Sequence, residues 1–245
     1  MTLTYRVLVQ GSRSFTSSTR RSWSNLWGLT GHSSILLQDA RHVRRHQVPS
    51  NDAAHDADVT QKRLAYVRQH ATRGDAQSVR DVIDKFGYEN WMMNVGDVKG
   101  SIVDAEIRKL QPKVMVEIGG YCGYSAVRFG NLLREVVDIA GLSDVVKIIV
   151  GPFQESIEKW SEVDHVDVFF IDHRKDLYLP DLKLIEKSGL LQQGSVIIAD
   201  NVITPGAPDY LEYIRAHPKF QSVFHETKLE YSDERDGIEV STFLG

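Results

Sequence analysis

Four short apolar runs punctuate the chain from residue 114 onward: VMVEI from Val114, VVKIIV from Val145, VDVFFI from Val166 and SVIIA from Ser195, with helical spacing between them. A strand with one wet face alternates apolar and polar residues, whereas a strand buried on both faces is apolar throughout. Unbroken runs separated by helices therefore predict an α/β fold, a mostly parallel sheet with helices on both sides. Two later segments, SVFHETKLEY and DGIEVSTFLG, read as an antiparallel pair closing one edge.

In such sheets ligands bind beyond the carboxyl ends of the strands. Three runs carry an acid there: Glu117 in VEIGG, Asp172 in FFIDH, and Asp200 followed by Asn201 in IIADN. If the last two strands are neighbours, Asp172 and Asp200 stand about 5 Å apart, one inter-strand spacing. Two carboxylates and an amide oxygen, with no His or Cys among them, suit Mg²⁺, which takes few protein ligands and draws the rest from water and substrate. The competing reading is that each Asp caps the loop it begins. His173 follows Asp172 directly; alternation turns it away from the ligand, and from the pattern it reads as structural.

The turn after the first run, IGGYCGYS, offers close backbone approach and free N–H groups at a helix start. Its glycines, Gly119, Gly120 and Gly123, do not form GxGxxG. With Glu117 beside it, the turn favours a cofactor with positive charge over a pyrophosphate. S-adenosylmethionine, with an ammonium and a sulfonium, fits that description.

A net charge of −4 and a pI near 6.1 argue against nucleic acid or an anionic membrane as partner and for a small molecule. Cys122 is the only cysteine, which excludes an intrachain disulfide and points to a reducing intracellular compartment, with the cytoplasm as the simplest home. No apolar run has the length of a membrane span, and a soluble monomer is expected. Residues 1–57 stand apart: Arg6, Arg13, Arg20, Arg21, Arg41, Arg44 and Arg45 face one acid, Asp39, within the first fifty. This arm reads either as a mitochondrial leader or as a disordered extension. The folded domain is then 58–245. It opens with a helix from Asp58 and a second one capped by Asp75 and stopped at Gly87.

Five pieces of the chain, WMMNVGDVKG, VEIGGYCGYSAVR, FIDHRKDLYLPD, KSGLLQQGSVIIADNVITPGAPDYLEYIR and KLEY, resemble the catechol O-methyltransferases. The resemblance implies a Rossmann-like methyltransferase sheet and a Mg²⁺-dependent methyl transfer from S-adenosylmethionine to a catechol hydroxyl. It implies Asp172, Asp200 and Asn201 as metal ligands, Lys175 as general base and Glu230 as a clamp on the second hydroxyl. Trp91, Met93, Pro205 and Leu229 would wall the ring, and Asn201 would touch the substrate. Val95, Glu117, Gly119, Tyr121, Ser125 and Asp172 would hold the methionine end of the cofactor, with Gln154, His173 and Arg174 also on the cofactor side.

The chain departs from that pattern in three places. Between Glu135 and Val136 it lacks a block of about twenty residues, the usual spacing to the strand-ending acid that binds a ribose. Asp144 precedes a strand and does not replace that acid. The sheet is thus expected to lack its second strand, leaving its two neighbours either paired or with open edges. Arg174 stands where the family has a tryptophan, and Phe153 where it has a small hydroxyl residue. The alternative function is a non-catalytic form, from a splice variant or a gene model, that no longer binds S-adenosylmethionine. A dinucleotide dehydrogenase would need the ribose acid and the glycine fingerprint, and the chain has neither.

Overall fold

The computed structural model describes residues 5–10, 53–119, 146–157, 160 and 163–245. Helix α1 (Ala53–His70) begins ahead of the predicted Asp58 and buries Leu64 and Val67. Helix α2 (Ala76–Glu89) opens on Asp75, as predicted: Oδ1 of Asp75 accepts from the backbone N–H of Gln77 at 3.0 Å and of Ser78 at 3.1 Å, satisfying donors that the helix cannot.

The expectation that Gly87 ends α2 is corrected, because the helix runs through it to Glu89. A Cβ at Gly87 would lie 2.5 Å from the Tyr231 ring, so the glycine serves close approach. Alanine in a helix interior gains roughly 0.5–1 kcal/mol over glycine; overpacking a filled site costs about 1–3 kcal/mol. The ring is anchored by its hydroxyl, which donates to Asp84 at 3.0 Å, so the clash should win. Gly87→Ala is expected to lower the thermal midpoint, and a midpoint above wild type in calorimetry would refute the packing argument.

The remaining elements follow in order: α3 (Gly96–Leu110), β2 (Val114–Ile118), β3 (Val146–Val150), α4 (Phe153–Ser156), β4 (Val168–Ile171), α5 (Tyr178–Lys187), β5 (Val196–Ala199), α6 (Pro208–Ala216), β6 (Phe220–Lys228) and β7 (Arg235–Phe243). Strands β2, β4 and β5 pair in parallel, and β7 and β6 close one edge antiparallel, as predicted. The fold is mixed α/β. Successive residues of a strand face opposite sides, and the core divides accordingly. Met115, Val168, Phe170, Val196 and Ile198 pack on one face with Val103 and Ile107 of α3. Val116, Ile118, Phe169, Ile171, Ile197 and Ala199 pack on the other with Tyr178, Leu182 and Ile185 of α5 and with Tyr210 and Ile214 of α6. Full burial on both faces explains why the runs do not alternate.

Residues 5–10, within the N-terminal arm that the sequence sets apart from the 58–245 domain, form a strand of the sheet. The strand β1 (Tyr5–Gln10) lies between β2 and β3, antiparallel to both, in a seven-stranded sheet of order β3-β1-β2-β4-β5-β7-β6. Thus β2 and β3 neither pair directly nor leave their facing edges open. An open slot in mid-sheet exposes two rows of unpaired backbone groups, and YRVLVQ has the β-branched and aromatic content to fill it. Because β1 runs against its neighbours, Arg6 stands opposite Ile118, at the carboxyl end of β2, and Gln10 opposite Val114. Its own carboxyl end therefore lies at the edge of the sheet remote from the site.

Candidate functional site

The parallel register sets the site. Phe170 pairs with Ile198 and Ile171 with Ala199, so the next residues, Asp172 and Asp200, leave adjacent strands at the same level. The Asp172 N–H still bonds the Ile118 carbonyl at 2.8 Å, and the Asp200 N–H bonds that of Ile171 at 3.0 Å. Gly119 follows β2 at φ +115°, and a Cβ there would lie 2.1 Å from the Asp172 carbonyl oxygen. Its predicted closeness to the site is therefore a backbone contact that no side chain could share.

Lys175 lies in the single turn Lys175–Leu177 ahead of α5. Its ammonium donates to Asp172 Oδ1 at 3.2 Å, Tyr178 Oη at 2.5 Å, the Asp200 carbonyl at 3.4 Å and Asn201 Oδ1 at 3.4 Å. The Tyr178 hydroxyl donates its own proton to the Asp200 carbonyl at 2.9 Å, leaving its lone pairs to Lys175. Burial holds that phenol well above its usual pKa, so it stays neutral. Asn201 takes a left-handed conformation, φ +53°, which asparagine tolerates better than other side-chain-bearing residues.

A second cation, which the sequence reading missed, underlies this layer. Lys99, 1% exposed on α3, stands 3.0 Å from Asp200 Oδ2, 2.7 Å from Glu230 Oε2 and 3.2 Å from Asp236 Oδ2. The Asn201 amide donates to Asp236 at 2.9 Å and to Glu230 at 3.3 Å. Asp236 also accepts from the N–H of Ile203 and Thr204, tying down the turn that carries exposed Pro205. A signal for Lys99 was present in its spacing: Lys99, Val103 and Ile107 recur every four residues on the buried stripe of α3.

Burial opposes the charge on Lys99, but the Asp200 and Glu230 carboxylates outweigh it and hold the amine charged, with its pKa raised. Asp200 is pushed up to about 7 by burial, then by the charge of Asp172, with Lys99 pulling the other way. Glu230 is likewise raised by burial against Lys99. Four carboxylates, Asp172, Asp200, Glu230 and Asp236, share two ammonium groups, a formal excess of two negative charges. Buried Asp200 Oδ2 accepts no aligned hydrogen bond despite the nearby ammonium. Among the described residues no group of three or more His, Cys, Asp or Glu side chains is arranged to hold a metal ion by itself; the three carboxylates that do converge, those of Asp200, Glu230 and Asp236, surround Lys99. The donors available are two carboxylates plus an amide oxygen, and their excess charge is that of one divalent cation.

The predicted walls divide. Trp91 donates its indole N–H to the Glu230 carbonyl at 3.1 Å, and Leu229 is buried beside it. Met93 is half-buried nearby in sequence, and Val95 packs on the sheet face shared with α3. Gln154 and His173 meet on buried Asp181, at 2.6 Å and 2.9 Å. The His173 ring stacks on Tyr178, and its Nδ1 is buried without a hydrogen-bond partner among the described residues. Arg174 is exposed and paired with Asp176. Phe153, which stands where the family has a small hydroxyl residue, is a core residue, 0% exposed and edge-on to Trp160. Tyr121, Ser125, Cys122, Asp144 and the Glu135–Val136 junction lie outside the described residues.

Glu117 ends β2 with its carboxyl desolvated and beside Asp172; the two effects, in that order, push it up to about 8. Between its ordinary value of 4.5 and about 8, the folded chain keeps a proton that the unfolded chain releases. Stability contributed this way is present at low pH and falls as pH rises through that window, by up to about 1.4 kcal/mol per unit. The thermal midpoint is therefore expected to fall from pH 5 to 8 more steeply in wild type than in Glu117→Gln. Parallel slopes would contradict the assignment.

No model of a known protein family matches the chain. Catechol O-methyltransferase B of Danio rerio is 44% identical over 208 residues, covering 76% of this chain and 79% of its own length. The catechol O-methyltransferase of Bos taurus is 44% identical over 208 residues, covering 76% of each. In both, the match is longer than the part of this 245-residue chain that it occupies, so each relative has positions without a counterpart here, in keeping with a block missing after Glu135. An O-methyltransferase of Bacillus cereus, solved with SAH, superposes at a TM-score of 0.55 and 19% identity over 78% of this chain and 97% of its own. Another, from Streptomyces achromogenes, gives 0.57 at 15% identity over 78% and 99%. These two likenesses establish the fold.

Proposed function

The chain belongs to the catechol O-methyltransferase family, and from that premise we propose that it transfers a methyl group from S-adenosylmethionine to one hydroxyl of a catechol, using Mg²⁺. The observation that carries this reading is the meeting of Asp172, Asp200 and Asn201 with Lys175 on one side and Glu230 on the other. The three oxygen ligands are those that Mg²⁺ accepts, and the formal charge excess supports a divalent cation. When bound, Mg²⁺ would make a coordinated hydroxyl more acidic and S-adenosylmethionine would supply an electrophilic methyl group.

The residues do the rest. Tyr178 holds the Lys175 nitrogen beside the ligand oxygens; once Lys175 has given up one proton to solvent, its neutral amine accepts the hydroxyl proton and becomes ammonium again. Glu230 accepts from the second hydroxyl and fixes the ring's orientation, which makes the transfer one of positioning. Trp91 and Leu229 exclude water from the ring. At Glu117 a cationic cofactor favours the charged carboxylate, so binding near pH 7 should release a proton. The reading is of an intracellular monomer acting on a small molecule.

One observation favours a second reading, a form that keeps the diol side and does not bind S-adenosylmethionine. Strand β1 occupies the slot beside β2 in reverse, so no strand there ends in an acid on the ligand side. Titration calorimetry of S-adenosylmethionine with Mg²⁺ present decides between them. Binding in the micromolar range supports the enzyme; heat only for a version given a family-type strand after Glu135 supports the second reading.

A further inference from the structure

Glu230, which clamps the second hydroxyl in the reading above, is not held by its own strand. It follows β6 in the turn before β7, with buried Leu229 and Tyr231 on either side. What fixes its carboxylate comes from elsewhere in the chain: Lys99 Nζ at 2.7 Å and Asn201 Nδ2 at 3.3 Å, both on Oε2. The same ammonium reaches Asp200 and Asp236, so α3, the end of β5 and the start of β7 meet on one nitrogen. A buried ammonium with three carboxylates around it is a rigid node, since without it the three would lose the cation they share and repel one another. The backbone of the turn is pinned separately, through Trp91 on the Glu230 carbonyl.

We propose that Lys99 is the positioning residue for Glu230, setting where the clamp carboxylate stands relative to Asp200 and hence which of two catechol hydroxyls is presented for methylation. This rests on the functional reading above. Lys99 touches neither Lys175 nor Asp172 in the contacts of the cluster but does pair with Asp200, so a change of rate alone does not separate orientation from proton removal, and the product ratio is the readout that reports orientation.

The test is the ratio of the two mono-O-methyl products from 3,4-dihydroxybenzoate, in wild type, Lys99→Met and Lys99→Gln. A ratio is independent of how much enzyme is folded, which separates positioning from stability. Turnover by wild type tests the functional reading; the change of ratio between variants tests Lys99. Both variants are expected to move the ratio toward equality by about threefold or more, only part of the roughly tenfold or greater factor that one hydrogen bond to a charged group carries. The indole N–H resonance of Trp91 in the cofactor-free protein should shift as well, because the Glu230 turn relaxes. If both variants melt earlier but keep the wild-type ratio, Lys99 only stabilises the fold and the inference is overturned.

Discussion

Lys175→Met should lower methyl transfer by about 10²–10⁴-fold, the usual range for removing a positioned general base. Methionine keeps the unbranched stem and loses the nitrogen that contacts Asp172, Tyr178 and Asn201. Among the described residues no other ammonium is placed to replace it: Lys99 lies beneath the Asp200, Glu230 and Asp236 carboxylates and is fully engaged. S-adenosylmethionine binding should stay close to wild type, since Glu117 and the backbone at Gly119 are untouched. Single-turnover rates measured beside calorimetry check both halves. A variant that keeps more than about a tenth of wild-type rate would remove Lys175 from its role.

Removing residues 1–10 is expected to cost most of the protein's stability. Strand β1 pairs at five positions with β2 and at five with β3. At roughly 0.5–1.5 kcal/mol net for each backbone hydrogen bond, losing this ladder removes several kcal/mol from a total that is typically about 5–15. It also exposes two facing strand edges in mid-sheet, an invitation to aggregation. The truncated chain should melt well below the full chain or form aggregates, and a synthetic peptide of residues 1–12 added in trans should raise the midpoint again by strand addition. Equal midpoints for the two chains in denaturant and heat would show that the strand is dispensable.

The layered sheet was legible because its strands are buried on both faces, and continuous runs such as VFFI and VIIA admit few other placements. Asp172 and Asp200 were legible for the same reason: parallel register carries acids at equivalent strand ends to one level. Strand β1 was not, since six residues amid an arginine- and serine-rich stretch are outvoted by composition, and their partners are set by a slot elsewhere in the chain. Gly87 misled because a glycine required by a neighbouring ring reads the same as one that ends a helix. Asp236 sits in the charged turn sequence SDERDG; only its position on the strand face of Ile238 and Val240 marks it as buried. Lys99 was legible in principle from the stripe it shares with Val103, although a lysine there is ordinarily counted as a surface residue.

The most direct test of the account is transfer of a labelled methyl group from S-adenosylmethionine to 3,4-dihydroxybenzoate by the purified full chain, followed by mass spectrometry with Mg²⁺ and then with excess EDTA. The account predicts a mono-O-methyl product that forms with Mg²⁺, stops with EDTA and returns when Mg²⁺ is restored. Absence of product with Mg²⁺ present, from a chain that unfolds cooperatively, would contradict it.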